Sequence, residues 1–421
     1  MNVLHLTAGS LRRGASRGAL WLHQGLQAQG VDSRFLTTDA AASEPGVQRV
    51  APGRAGSLLL ASLKQLDRLP LRAYRFDRRG TLSPGWIGLP IQAMPGYRQA
   101  DLIHLHWIND GLLNLRSLRR CPKPIVWTVR DLWPTTGLCH YPQGCERQAL
   151  GCGQCPLLSG PGWPWPDPSH RGYRRKRHWL AKAPITYVGI SPWVAAQLRA
   201  SPITAGRPVE MIWNGINTRV FHAMPRVEAR RQLGLDAQSG PLLLAEWRSP
   251  RSEPWKGFEH VLELLPALRQ MGATLMVFGR VPPELVGFAQ AEGVHNLGYI
   301  DDDAHLRCVY AAADVFICPT LQEAFGKTMA EAMACGTPVA AFAGSAPADL
   351  VEPGFTGALA TLGDGAALLQ AIQLVLQQTD RLSAHCGERA RRRFGETDCA
   401  RAYADLYERL CTGAVSGVQP S

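Results

Sequence analysis

Short apolar runs closed by turn residues recur along the chain, with amphipathic stretches between them. In the first half the runs fall at 3–6, 33–36, 101–107, 125–129 and 185–190; in the second, at 242–245, 274–278, 294–300, 315–318 and 338–342. Most are apolar without alternation, as strands covered on both faces of a parallel sheet must be. Helix signals occupy 19–29, closed by Gly30, and then 258–269, 283–290, 326–336, 366–377 and 382–411. Ser191 and Pro192 open a further helix as cap and first residue. Residues 40–98, rich in Pro, Gly and Arg, read as loops with one helix near 58–69. Alternating strands and helices in both halves predict an α/β protein with two parallel sheets. A chain of 421 residues is long enough to build two such domains.

The most informative stretch is VFICPTLQEAFGKTMAEAMACGTPV at 315–339. Pro319 closes its strand, and a helix runs from near Gly326 to Gly336, where Pro338 forbids continuation. In an open parallel sheet, ligands bind where a strand's carboxyl end meets the next helix's amino end. There the N–H groups of Phe325, Gly326, Lys327 and Thr328, backed by the helix dipole, suit a phosphate or diphosphate. Gly326 lets the backbone approach closely. Glu323 stands just ahead of this cradle, and Glu331 lies eight residues on. A carboxylate beside an anion site needs another task, such as holding sugar hydroxyls. Together they suggest a ligand with diphosphate and polyol parts, a nucleotide sugar.

The run Glu323-Ala-Phe-Gly-Lys-Thr-Met-Ala-Glu331, followed by C-G-T-P-V, resembles the E-x7-E signature of family-4 glycosyltransferases. These are retaining enzymes of the GT-B fold, and the kind resembled serves exopolysaccharide and surface glycan biosynthesis. The resemblance implies two Rossmann-like domains facing across a cleft. Residues 1–214 would be the acceptor side, with a Cys-rich insertion at 139–155; 215–400 would bind the nucleotide sugar; 401–421 would be a helix end and tail. The last helix of such folds usually crosses back to the first domain. In the family the first Glu touches the donor sugar and the second holds the ribose, which assigns those tasks to Glu323 and Glu331.

Three further segments carry the resemblance. Trp127-Thr128-Val129-Arg130-Asp131-Leu132-Trp133-Pro134 resembles W-T-x-H-D-x-W-P of a polysaccharide-building branch, with Arg130 where the family has histidine. The position implies a permanent cation near the reacting sugar, so Arg130 joins Glu323 and Lys256 as a catalytic candidate. Asn214-Gly215-Ile216-Asn217 resembles the crossing between domains, with Asn217 in place of the usual Asp. After the 242–245 strand the family sets an Arg and a Lys-Gly that grip the donor diphosphate. Lys256-Gly257 matches, and Arg248, nearer the strand end than Arg251, is the preferred arginine. The loop from Gly9 to Gly18 matches the family's glycine-rich loop, which makes Gly14 a donor-binding candidate. Two mobile cations would neutralise a leaving nucleoside diphosphate, so catalysis requires no metal in this reading. Asp301-Asp302-Asp303 reads as a helix cap with first-turn charge rather than a metal motif.

Cys139, Cys145, Cys152 and Cys155, spaced C-x5-C-x6-C-x2-C, would let four thiolates close around one structural zinc ion. Free buried thiols pinning a loop are the alternative. After a Trp-bearing linker at 160–168, a helix over 170–182 carries five cations with Tyr173 and Trp179. It fits either contact with an anionic membrane or a solvated basic face.

At 46% hydrophobic and 19% charged residues, the composition is that of a folded globular protein. No apolar run approaches the roughly 20 residues that span a bilayer. The opening MNVLHLTAGSLRRG reads as strand and loop rather than a cleaved leader, so a cytoplasmic location with reduced thiols is expected. A peripheral place on the inner face of the plasma membrane stays open. The net charge of +11 admits nucleic acid, an anionic membrane or anionic small molecules, and no nucleic-acid-binding motif supports the first. The expected activity is transfer of a hexosyl group from a nucleoside-diphosphate sugar to a lipid-linked saccharide acceptor. Two rivals remain at this stage. An epimerase on the same fold would convert labelled donor alone. A non-catalytic sugar-nucleotide-binding protein, suggested by Arg130, would bind donor without turnover.

Overall fold

The computed structural model describes every residue except 13, 77–79, 160–166, 236–239, 250–252, 282–285, 288–291 and 414–421. The chain forms two compact units, Met1–Gly215 with Glu396–Ser421, and Ile216–Gly395. The first unit carries β1 (Asn2–Thr7), β2 (Asp32–Thr37), β3 (Val47–Arg49), β4 (Arg75–Phe76), β5 (Leu102–Leu105), β6 (Ile125–Val129), β7 (Leu158–Ser159), β8 (Ile185–Gly189) and β9 (Val209–Met211). Seven of them form a sheet in the order β3-β2-β1-β5-β6-β8-β9, and β4 and β7 pair as a short ribbon. The second unit carries β10 (Leu242–Trp247), β11 (Thr274–Gly279), β12 (His295–Asn296), β13 (Val315–Cys318), β14 (Val339–Phe342) and β15 (Gly357–Ala360), in the order β12-β11-β10-β13-β14-β15. Every recorded pairing in both large sheets is parallel.

Each order reverses once, between β1 and β5 in the first sheet and between β10 and β13 in the second. At such a switch the helices on the two sides diverge and leave a crevice at the strands' carboxyl ends. Apolar residues cover the sheets as the runs predict. Leu243, Ala245, Val277, Val315 and Ile317 are buried against Val261, Leu265 and Leu268 of the helix Phe258–Gln270. Burying each Val, Leu or Ile of this set contributes about 1.5–3 kcal/mol, which makes these sheets firm platforms for loops.

Several element boundaries differ from the sequence reading. The first helix is Gly14–Ala28, five residues earlier than expected, so half of the glycine-rich loop is helical. The Ser16 hydroxyl donates to the carbonyl of Ala8 at 2.7 Å and draws the helix start toward β1. The 58–69 helix is Gly53–Asp67. The 344–347 turn begins a helix, Ser345–Leu350, and the 294–300 strand shrinks to β12. The single helix expected over 382–411 is two, Thr379–Phe394 and Glu396–Thr412. The second of these returns to the first unit, where Tyr403, Leu406 and Tyr407 pack with Val3, Leu102 and Val126. The second unit thus ends at Gly395 rather than 400, and the division set at 214/215 falls at 215/216. Most of the helix expected at 283–290, the 160–166 linker and the tail from 414 lie outside the described residues.

Candidate active site

In the second unit three loops converge at the carboxyl ends of β10, β13 and β14. The first leaves β10 at Trp247 and reaches the helix Phe258–Gln270 through Lys256 and Gly257. Gly257 has φ +63°, and a Cβ there would come within 2.0 Å of the Pro319 carbonyl oxygen. Only glycine allows that close approach. The Trp255 carbonyl accepts from the N–H groups of Leu321 and Gln322 at 2.8 and 3.3 Å, which ties the first loop to the β13 loop. The result is direct contact between the Lys256 ammonium and the Glu323 carboxylate, whose side chains are 16% and 14% exposed. The β14 loop completes the frame. Ser345, a non-glycine residue with φ +50°, accepts the Glu323 N–H at its Oγ (2.9 Å), and Ala346 N–H donates to the Glu323 carbonyl at 3.1 Å.

Charge is balanced locally. Arg248 Nη2 lies 2.5 Å from Glu246 Oε1, and Nη1 lies 3.5 Å from Glu253 Oε2. Glu246 chiefly, against the cost of burial, holds the Arg248 guanidinium above its ordinary range. Burial alone would raise the Glu323 carboxyl. Lys256, the Ala324 N–H and Arg248 outweigh it and hold the group below its usual value. The reverse holds for Lys256, where burial works downward and Glu323 lifts the ammonium above its usual value. Both stay ionised at neutral pH, so the site is a set of charges prepared before any ligand arrives.

Gly326, in the left-handed region at φ +83°, caps the helix Lys327–Ala334 without a side-chain hydrogen bond. Glu331, eight residues after Glu323, is only 1% exposed at its side chain. It accepts from Lys327 Nζ at 3.0 Å and from the Tyr310 hydroxyl at 3.1 Å. Burial, and then Glu331, push the Tyr310 hydroxyl well above its ordinary value, so it remains a donor. Phe325 is a core residue, edge-on to Phe394 at 5.5 Å, so only its backbone can serve the cradle. Thr328 is half-buried in the first helical turn.

The structure thus gathers Lys256, Glu323, Arg248 and the 325–328 backbone in one unit. Glu246, Glu253, Tyr310 and Ser345 were missed by sequence reasoning. Glu246 and Glu253 flank Arg248 in sequence, a visible signal, whereas Tyr310 and Ser345 arrive only through tertiary contact. Arg251 lies outside the described residues. Gly14 belongs to the other unit, where it is the exposed first residue of its helix.

In the first unit Arg130 follows β6, and its Nη1 reaches Asn214 Oδ1 at 2.5 Å. A Cβ at Gly18 would sit 2.6 Å from that Nη1, so the bare helix face makes room for the guanidinium. Arg130 has no carboxylate partner among the described residues, its Nε has no acceptor, and burial lowers its basicity. Beneath it lie His5, His104 and His106 at the β1–β5 switch, with His5 and His104 directly paired across the ladder. His104 sits between Thr128 Oγ1 (2.7 Å) and the Tyr407 hydroxyl (2.5 Å). His5 Nδ1 lies 3.0 Å from His106 Nε2. Burial first, then neighbouring positive charge, hold all three far below the ordinary imidazole range, so they are neutral. Asp131 is fixed from behind, with His140 Nδ1 at 2.7 Å from its Oδ2 and His140 Nε2 at 2.9 Å from Ser83 Oγ.

The four cysteines expected to share a zinc ion are free thiols. Among the described residues, the group of three or more ligand atoms gathered to metal-binding distances is His5, His104 and His106, not these sulfurs. Backbone N–H groups donate to two of them, Gly137 to Cys152 Sγ at 3.3 Å and Leu157 to Cys155, and the four sulfurs lie near enough to act electrostatically on one another. Burial raises the Cys139 thiol to about 12 and the Cys155 thiol to about 11, so a metal taken up here would have to displace their protons.

Residues 12–220 match the family model described as Glycosyltransferase Family 4, and residues 249–378 match that of Glycosyl transferases group 1. A D-inositol 3-phosphate glycosyltransferase of Thermobispora bispora is 27% identical over 239 residues, 51% of this chain. That match spans 56% of the relative, little more than half its length. Among solved structures, sucrose-phosphate synthase from Thermosynechococcus elongatus superposes with a TM-score of 0.69 over 98% of this chain and 100% of that one, at 22% identity. HepE of Anabaena, in complex with UDP-glucose, gives 0.60 over 97% and 99%, at 18% identity. At these identities the structures speak for the fold and the family models for the class. The chain is a glycosyltransferase of the GT-B fold, joining an amino-terminal family-4 domain to a carboxyl-terminal group-1 domain.

Proposed function

We propose that the protein transfers a hexosyl group from a nucleoside-diphosphate sugar to a hydroxyl of a lipid-linked saccharide, with anomeric retention, in surface polysaccharide assembly. The observation that carries this reading is the Lys256–Glu323 pair beside Arg248, set at the strand switch ahead of a glycine-capped helix. A diphosphate entering there exchanges the carboxylates for phosphate oxygens on Lys256 and Arg248. The N–H groups at the start of the helix Lys327–Ala334 add to that grip. These donors stabilise the charge that develops on the leaving diphosphate, and side chains alone suffice for that task. Glu323, released from Lys256, is then free to hold the sugar's hydroxyls. Glu331, kept in place by Tyr310 and Lys327, is assigned to the ribose. HepE's complex with UDP-glucose supports a nucleotide-sugar donor. Retention and the lipid-linked acceptor rest on the E-x7-E and W-T-x-R-D-x-W-P resemblances. Arg130 would present its cation to the acceptor side, and Arg130→His tests whether the family's usual residue serves better.

The deciding experiment follows label from a panel of UDP-, GDP- and ADP-sugars into membrane extract, with wild type and Lys256→Ala side by side. Nucleoside diphosphate release, with label moving into lipid-linked saccharide and lost in the variant, is expected. Tight donor binding without release from any extract would overturn the reading in favour of a binding protein. Conversion of donor without acceptor would favour an epimerase.

A further inference from the structure

Thirteen large apolar side chains are exposed among the described residues, and five of them cluster in one segment: Leu58, Leu59, Leu66, Leu69 and Trp86. Leu58, Leu59 and Leu66 share one face of the helix Gly53–Asp67, by their spacing of seven and eight residues. Their exposures are 70%, 46% and 45%. Trp86 stands beside them, its indole N–H donating to the carbonyls of Leu66 (3.1 Å) and Asp67 (3.0 Å).

The helix does not need that face to stay in place. Its inner side is locked by Asp67, 1% exposed, which accepts the N–H groups of Trp86 at 2.9 Å and Ile87 at 3.4 Å. Lys64 and Arg68 pair with Asp110 at 2.7 and 3.0 Å. At Gly111 an added Cβ would meet the Leu63 backbone at 2.6 Å, so that contact is already tight. The outward leucines are therefore spent on something other than the core, and an apolar patch of this kind marks an interaction surface.

Charge identifies the partner. Between residues 49 and 76 the cations are Arg49, Arg54, Lys64, Arg68, Arg72 and Arg75, and the one acid is the buried Asp67. Asp110, from outside this segment, engages Lys64 and Arg68, which leaves Arg54 and Arg72 without a carboxylate among the described residues. An apolar face flanked by such arginines suits an anionic lipid surface. A second copy of the chain would set like charges against each other across a two-fold interface. The helix Pro168–Leu180, for which the sequence leaves membrane contact and a solvated basic face open, is different. It buries Tyr173 and Lys176 and exposes Arg171, Arg174, Arg177 and His178, which is a solvated basic face without an apolar stripe.

We propose that the outward face of the helix Gly53–Asp67, with Leu69 and Trp86, seats the protein on an anionic membrane surface. The leucines and the indole enter the headgroup boundary while Arg54 and Arg72 meet the lipid charges. This deepens the membrane reading above, and its test reads lipid binding rather than transfer. The full chain is sedimented with vesicles of phosphatidylcholine alone and of phosphatidylcholine with phosphatidylglycerol. Binding is expected only to the anionic vesicles and is expected to weaken with added salt. Leu58→Glu with Leu66→Glu should lower the partition at least about tenfold, and each of Arg54→Ala and Arg72→Ala roughly fivefold. Leu58→Gln with Leu66→Gln, checked by thermal unfolding, guards against loss through misfolding.

Nucleoside diphosphate release is measured in parallel. Lost vesicle binding with release intact supports the surface, whatever becomes of the acceptor reading. No binding of wild type to anionic vesicles overturns the proposal. Binding unchanged in the leucine variants overturns it as well. So does a dimer in solution that those variants dissolve, which would make the face a contact between copies.

Discussion

Two cations set at sheet ends, one in each unit, are built on opposite terms. Lys256 is in contact with Glu323, and the pair holds both groups ionised. Among the described residues Arg130 has the Asn214 amide oxygen and no carboxylate as partner, above three neutral histidines, and burial lowers its basicity. A charge paired before the ligand comes costs little to keep and can exchange one anion for another. A charge kept without a carboxylate is held at an energetic cost by the packing around it. The comparison therefore separates a region organised by electrostatics from one organised by burial, and each should fail in its own way.

Acid should break the first unit before the second. His5, His104 and His106 are held neutral, while in the unfolded chain they take up protons near the ordinary value of 6.5. The unfolded state then binds more protons, so stability is full above that value and falls as pH drops below it. Each histidine contributes about 1.4 kcal/mol of loss by about pH 5.5, or about 4 kcal/mol for the three. His23, lowered to about 4 by burial, extends the loss further down. Urea unfolding at about pH 7.5 and about pH 5.5, with hydrogen exchange followed on β1, β5, β10 and β13, reads this directly. Equal loosening of both sheets would erase the distinction.

Lys256→Ala should lower kcat by about 100- to 1000-fold, as removal of a donor to developing charge does. Lys256→Met should also cost about 3 kcal/mol of stability, because Glu323 is left buried without its partner. Both effects are read from steady-state kinetics and denaturant melts of one preparation. Gly18→Ala comes next. The new methyl would press on Arg130 and Asn214, with an expected loss of about 1–3 kcal/mol. A compensating Arg130→Met in the same chain should recover most of it. Arg130→Met alone should change stability by less than about 1 kcal/mol, because no carboxylate is stranded. A large loss there would mean that Arg130 carries a hidden partner and that the two cations are alike after all.

The second site was legible in the sequence to the extent that it is local. The E-x7-E spacing, Gly326 and Lys256-Gly257 act within a loop and one helical turn, so their geometry follows from nearest neighbours. Tyr310 and Ser345 were not legible, since each reaches the site from another crossover. The cysteines show the converse. Their spacing permits a four-thiolate site, but how closely four sulfurs approach one another is set by the loops that carry them and not by spacing. The outward face of the helix Gly53–Asp67 was not legible either, since the sequence predicts a helix near 58–69 but not which of its leucines stay uncovered.

What the sequence determined by itself was most of the central strands, their parallel arrangement and the loop-to-helix turn at 323–331, because apolar runs, prolines and glycines act over a few residues. Short edge strands such as β3, β9 and β15 carry too little pattern to be read. Only the tertiary structure decided where the last helix packs, which charges meet and which apolar face stays outside. Those outcomes depend on long-range contacts such as Glu323 with Lys256 and Tyr407 with His104, 67 and 303 residues apart in the chain. No local pattern encodes such pairings, because the free energy that selects them comes from burying both partners at once.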